Sequence, residues 1–311
     1  MPFHIVTSSH PGISADWSQQ AANVHRSSSR LLNLITRLLI DSTPSLLIPN
    51  MDLKTEQRIA IYRGADLPNQ YTWSPFVSKL EFRCRLSGLK YIPDIGFPPS
   101  GPKGKIPYAE LALPGQPSVW LSDSTLIAKD FVRKGLLTDL NSGLSSFDKA
   151  HDLAIRALME DKLAFYDTHE RWVKNYYVMR DHAMSKLPYP ARVIAGNLAY
   201  RGIIQRLYEQ GTGRFSDAEI EVFTKEVWDA INGLLVASHQ RSLGKDECFW
   251  VLGGQEPSEA DTSVFGFIVA NLVSDSAPWS RDLLRRGYSS TIIEYARRIH
   301  YRYFPDYQIW S

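Results

Sequence analysis

Apolar residues recur along this chain with two different periods, and the change from one to the other divides it. Arg58-Ile59-Ala60-Ile61-Tyr62 alternates and ends near Gly64, which predicts a short strand. Pro68 and Asn69 mark a loop, after which Ser74 and Pro75 supply a hydroxyl N-cap and a proline at the first helical position. The helix so opened turns Phe76, Val77, Leu80, Cys84 and Leu86 inward, and Gly88 stops it. Leu89-Lys90-Tyr91-Ile92 reads as a second strand. The stretch 97–105, with Pro98, Pro99, Gly101, Pro102 and Gly104, reads as a loop. Residues 106–111 and 118–121 form a predicted hairpin around Pro114-Gly115, and 122–134 a helix closed by Gly135. The order strand, helix, strand, loop, strand, strand, helix predicts an α/β domain over 57–140.

From residue 145 to 311 the period is helical throughout. Leu153, Ala154, Ala157, Leu158, Asp161 and Phe165 are spaced as on a helix over 150–165. Pro188 and Pro190 break the pattern, which resumes over 193–207 and 217–237. Pro257-Ser258-Glu259-Ala260-Asp261 opens another helix, with Ser258 and Asp261 spaced as a capping box that uses Asp in place of Glu. An all-α C-terminal domain follows. Residues 1–56 differ in texture: an apolar run at 31–40 is interrupted by Arg37, Arg26 and Arg30 flank three serines, and Asp16 is the sole acid before Asp41. This segment reads as an N-terminal extension, partly helical or disordered. Its acid-poor, Arg- and Ser-rich character leaves a mitochondrial address open beside a cytoplasmic location.

Composition narrows the classes. With 311 residues, 44% hydrophobic and 22% charged, the chain is long enough for two domains with a substantial core. A net charge of +2 gives no basic face to argue for nucleic acid. Cys84 and Cys248 form no CxxC pair, and a reducing compartment suits them. No apolar run approaches the ~20 residues of a membrane span, and none follows Pro305, so no stable membrane anchor is expected. His151, His169, His182 and His239 have no metal-site spacing, and neither a Walker-type loop nor a nucleophile elbow occurs.

Three short segments carry candidate chemistry, each beside a plainer reading. Ser74 at a helix N-cap can donate its hydroxyl to a thiolate, which the helix dipole also favours; it can equally be a cap alone. Pro107 removes a ladder donor and leaves a strand edge free for an extended peptide; if the Ile106–Pro107 bond is cis, Ile106 turns its backbone toward that ligand. A trans proline at an ordinary junction is the alternative. Asp123 and Ser124 open a helix, where free amides favour a carboxylate, although both residue types also cap. Lys105 suits a second carboxylate, with Lys103 in competition.

In this order and spacing, Trp73-Ser74-Pro75-Phe76, Lys105-Ile106-Pro107 and Asp123-Ser124 resemble the glutathione-binding half of the glutathione S-transferase superfamily. Leu252-Gly253-Gly254 and the capping box at Ser258 resemble its helical half. Lys79-Leu80-Glu81, the run Pro102-Lys103-Gly104-Lys105-Ile106-Pro107-Tyr108 and Arg171-Trp172 narrow the likeness to the failed axon connections group, relatives of metaxins. The resemblance covers about 58–305 and implies a thioredoxin-like α/β domain followed by an all-α domain. It implies glutathione as cosubstrate, with Ser74 as thiolate donor, Lys105, Ile106, Pro107, Asp123 and Ser124 as its contacts, and no metal. Trp172, Tyr176 and Tyr177 would line a pocket for a small-molecule electrophile, though helical spacing suits core as well as cleft. A homodimer is a further expectation. The alternative is a non-catalytic, metaxin-like interaction protein at the mitochondrial outer membrane.

Overall fold

Strand β1 (Arg58–Tyr62) lies inside a four-stranded sheet of order β2-β1-β3-β4. It pairs in parallel with β2 (Ile92–Asp94) and antiparallel with β3 (Tyr108–Ala112), which forms a hairpin with β4 (Val119–Ser122). The computed structural model describes residues 57–241 and 247–310. The segments expected at 1–56, including the apolar run at 31–40, therefore lie outside the described residues. Period-two alternation gives the sheet two unlike faces. Ile59, Ile61, Ala109 and Leu111 are buried against helices α1 (Pro75–Leu86) and α2 (Ser124–Arg133), where Leu80, Cys84, Ile127 and Phe131 complete a core. On the other face Tyr62 stacks on Tyr108 at 4.5 Å and on Trp120 at 5.4 Å. Cys84 is buried in that core, and burial pushes its thiol up to about 12, so it behaves as a small hydrophobe.

Both helices stop as their glycines predict. At Gly88 (φ +64°) the Leu89 amide reaches the Cys84 carbonyl at 2.9 Å and the Gly88 amide reaches Arg85 at 3.1 Å, a Schellman closure. Gly135 closes α2 in the same way through Phe131 and Val132. This closure corrects the second strand. Leu89 is still engaged in ending α1, so pairing with β1 begins only at Ile92, three residues later than expected. The connection from β2 to β3 is a loop with one 3₁₀ turn, Pro98–Ser100, and the Ile106–Pro107 peptide is cis.

The helical half begins with α3 (Ser146–Ala157), α4 (Ala164–His169) and α5 (Tyr176–Ala183), with π-helical turns at Leu158–Leu163 and Glu170–Lys174 between them. Its inward face is Asp152, Ile155, Met159 and Leu163; Leu153 and Ala154 point to solvent, so the face is rotated from the expected one. α6 (Tyr189–Gln210) starts at the prolines that broke the sequence pattern, and α7 (Asp217–Arg241) follows. α8 (Glu259–Val273), α9 (Pro278–Gly287) and α10 (Glu294–Tyr303) complete the bundle.

α8 is buried on all sides and forms the spine of the molecule. Its predicted capping box is present: Asp261 Oδ2 accepts from the Ser258 amide at 2.8 Å, and Oδ1 accepts from the Val251 amide at 2.7 Å. α1 packs along α8 so closely that a Cβ on Gly266 would lie 2.5 Å from the Pro75 carbonyl oxygen. Glycine is required there for approach. Three buried charges on α1 find partners elsewhere: Lys79 on Glu160 (2.6 Å), Glu81 on Arg63 (2.9 Å) and Arg83 on Glu259 (2.7 Å). The apolar pattern of α1 gave no sign of them, since each partner comes from outside that helix.

Candidate functional site at the Ser74 end of helix α1

Ser74 caps α1 from extended backbone (φ −90°, ψ 115°), and its Oγ accepts the Val77 amide at 3.4 Å. Since the oxygen accepts from the helix, its hydroxyl hydrogen is left free to rotate toward a ligand. Pro75 has no amide hydrogen, so the first free donor of the helix is Phe76. The Ser74 amide itself donates to Thr72 Oγ1 at 3.3 Å.

A cavity of about 290 Å³ opens beside this cap. Gly64 and Ile106 wall it from the sheet half, Trp73, Ser74 and Phe76 from α1, and Trp172, Met179, His182 and Phe267 from the helical half. The floor is charged. Arg171 and Asp167, both buried, also line it. Arg171 Nη1 donates to the Trp73 carbonyl at 2.5 Å and Nη2 to Asn271 Oδ1 at 2.7 Å, while Asn271 Nδ2 donates to Asp167 Oδ2 at 2.9 Å. Burial pushes the Asp167 carboxyl up to about 6, with Arg171 and Asn271 opposing the rise. Burial also lowers the Arg171 guanidinium below its usual range. The Trp73 ring lies flat on His182, centroids 3.6 Å apart and planes 8° apart. Burial lowers the His182 imidazole from its ordinary value.

Of the residues read from the sequence, Ser74, Ile106 and Trp172 meet at this cavity. Pro107 and Ser124 are buried beside it in sequence but are not among its walls, and Lys105 and Asp123 are exposed. Asp123 caps α2 through Oδ1, which accepts the Thr125 and Leu126 amides, both at 3.1 Å. It does so at φ +81°, a conformation that costs a side-chain-bearing residue energy. Tyr176 and Tyr177 are not on the cavity wall. The Tyr176 hydroxyl donates to Asn197 on α6 at 2.8 Å, and Tyr177 is 70% exposed. Both follow the π turn ahead of α5. Sequence reasoning missed Asp167, Arg171 as a contact, and His182 as the partner of Trp73. Only the Arg171-Trp172 pair had signalled anything there. Among the described residues no cluster of His, Cys, Asp or Glu could hold a metal, and no helix is long and apolar enough to cross a membrane.

The sequence profile of the glutathione S-transferase N-terminal domain matches residues 75–178, from the first turn of α1 into α5. Over that part of its length the chain resembles the glutathione S-transferase superfamily. Failed axon connections from Drosophila melanogaster is 26% identical over 264 residues, 80% of this chain, and the resemblance to that protein read from the sequence stands. The chain spans about three fifths (59%) of that relative's length. Two solved structures share the fold. Glutathione transferase GSTFuA3 from Phanerochaete chrysosporium superposes with a TM-score of 0.50 at 16% identity, over 82% of this chain and 98% of its own. Glutathione transferase GSTFuA2 from the same organism gives 0.50 at 15%, over 80% and 99%. The thioredoxin-like domain followed by a helical domain is thus the fold of this chain.

Proposed function

We propose that this chain binds glutathione across the Ser74 end of α1 and adds its thiol to an electrophilic small molecule. One observation carries the reading: a capping serine, its hydroxyl still free to donate, opens onto a cavity walled mostly by apolar and aromatic side chains from both halves of the fold. A thiol held there meets the Ser74 hydroxyl, the free amides of the first turn and the helix dipole, all of which favour its anion over the neutral form that a thiol of pKa near 8.5 keeps at neutral pH. In the reaction the thiol proton leaves to solvent and the sulfur lone pair forms a C–S bond. The displaced pair departs with a leaving group, or, for an activated double bond, moves onto the electrophile and takes up a proton. The protein contributes proximity and a lowered thiol pKa.

Around this step Ile106 and Pro107 would pair with the cysteinyl backbone, Asp123 and Ser124 with the γ-glutamyl amine and carboxylate, and Lys105 with the glycyl carboxylate. Trp172 would bound the electrophile. Exposed positions such as Lys105 and Asp123 fit a peptide lying across the surface, with only its thiol reaching the cavity.

Kinetics on Ser74→Ala test the mechanism. A hydrogen bond to an ionised sulfur is worth roughly 1.5–3 kcal/mol, so turnover should fall roughly 10- to 100-fold with glutathione affinity little changed. Equal turnover in variant and wild type removes Ser74 from the mechanism. A wild-type chain that binds no glutathione at all turns the reading toward the metaxin-like alternative, in which the fold serves partner binding.

A further inference from the structure

We propose that Arg171 is a positioning residue for Ser74, reaching it from the helical half through the Trp73 carbonyl. The inference rests on the reading that Ser74 supports a glutathione thiolate. Burying a guanidinium is costly, and packing alone would be served as well by an apolar side chain of similar volume. Here the buried fork has specific tasks. One nitrogen holds the Trp73 carbonyl at 2.5 Å and another holds Asn271 at 2.7 Å, and Asp167 fixes the Asn271 amide from behind at 2.9 Å.

The Trp73 carbonyl and the Ser74 amide belong to one rigid peptide plane. Holding the carbonyl therefore fixes the amide, which donates to Thr72 Oγ1 on the far side. The Trp73 ring is held in turn by the face of His182. With its preceding peptide gripped at both edges, Ser74 has one orientation in which to present its hydroxyl. Arg171 is placed for this by the π-helical turn Glu170–Lys174, in which its neighbour Glu170 faces another way and accepts the Trp279 amide at the start of α9 at 2.8 Å. One distorted turn thus ties down the helical bundle with one residue and the Ser74 loop with the next. Such turns recur where function constrains a helix.

The test is the ionisation of bound glutathione, followed by thiolate absorbance against pH, together with kcat and KM and with a thermal melt as control. Arg171→Met should move the ionisation toward that of free glutathione by roughly one unit, a tenfold change in thiolate. It should lower kcat about as much, leaving KM for glutathione within about threefold. Arg171→Lys keeps the cation but cannot hold both acceptors, and should fall between wild type and Arg171→Met; it carries the test if the methionine variant does not fold. The decisive arm is the double variant. On a Ser74→Ala background, Arg171→Met or Arg171→Lys should cost nothing further, because the route to the thiol is already cut. A full additional loss there, or an unchanged ionisation in the single variants, overturns the inference while the glutathione reading stands. A wild-type chain that neither binds glutathione nor lowers its thiol pKa overturns both.

Discussion

The two helix N-termini of the sheet half are capped by the same kind of bond and are otherwise unlike. At α1, Ser74 takes one amide at 3.4 Å from relaxed backbone, beside a cavity and behind a buried network from the helical half. At α2, Asp123 takes two amides at 3.1 Å, in the open, from a φ of +81°. Capping alone would not need the left-handed backbone at Asp123, nor would it need the guanidinium behind Trp73. The excess at each end is a clue to use: strain at one, a buried charge at the other. The first suits a thiolate that must be shielded and oriented, the second a charged peptide end that arrives from solvent.

The largest break in this comparison comes from the spine. In Gly266→Val a Cβ would press on the Pro75 carbonyl oxygen and the Lys79 amide, 2.5 and 3.0 Å away. We expect a loss on the order of 4 kcal/mol in chemical denaturation as α1 is pushed off α8. Glutathione turnover should vanish with it, while the cap of α2, which does not touch Gly266, is spared. Retained stability would mean that α1 and α8 are not held as described.

The charge behind Ser74 has a pH signature of its own. The Asp167 carboxyl is raised in the folded chain from 3.8 to about 6 by burial. A raised carboxyl contributes stability that is full below its unfolded value and is lost as pH rises through the folded one. The wild type should therefore lose up to about 3 kcal/mol from this group between pH 4 and pH 6, at roughly 1.4 kcal/mol per unit. Asp261, also raised to about 6 by burial, titrates in the same window. The difference between wild type and Asp167→Asn isolates the Asp167 part: the variant's stability should fall less over that range. Parallel curves would place the titration elsewhere.

Asp123 sharpens the other side. Asp123→Ala loses the cap and keeps the strained φ, and should lower stability by about 1 kcal/mol. Asp123→Gly also loses the side chain but adopts the left-handed backbone freely, so its melting temperature should stay near that of the wild type or exceed it. Both variants should weaken glutathione binding alike. If the glycine variant is the less stable of the two, the strain argument fails; if both bind normally, Asp123 is a cap and nothing more.

What could be read from the sequence was local. Ser74-Pro75, Gly88, Gly135 and the Ser258/Asp261 box each act within a few residues of themselves, and all four sit in the roles expected of them. The second strand begins later because Leu89, apolar in an alternating run, looks like a strand residue while its amide is still closing a helix. Tyr176 and Tyr177 were expected at the cavity from the resemblance, helical spacing leaving core or cleft open, and they follow a π turn that leaves no mark in that spacing. Lys79, Glu81 and Arg83 lie off the apolar positions read for α1, and are buried because their partners arrive from Glu160, Arg63 and Glu259. Arg171 is the same case at the site itself: its meaning lies in Trp73, 98 residues away.

The most direct test of the account is a calorimetric titration of the wild-type protein and of Ser124→Ala with glutathione. Binding by the wild type, weakened in the variant, is the predicted result and would put the γ-glutamyl end at the start of α2. No heat at millimolar glutathione, or equal affinity in the two proteins, would contradict it: the first by denying the ligand, the second by denying the place.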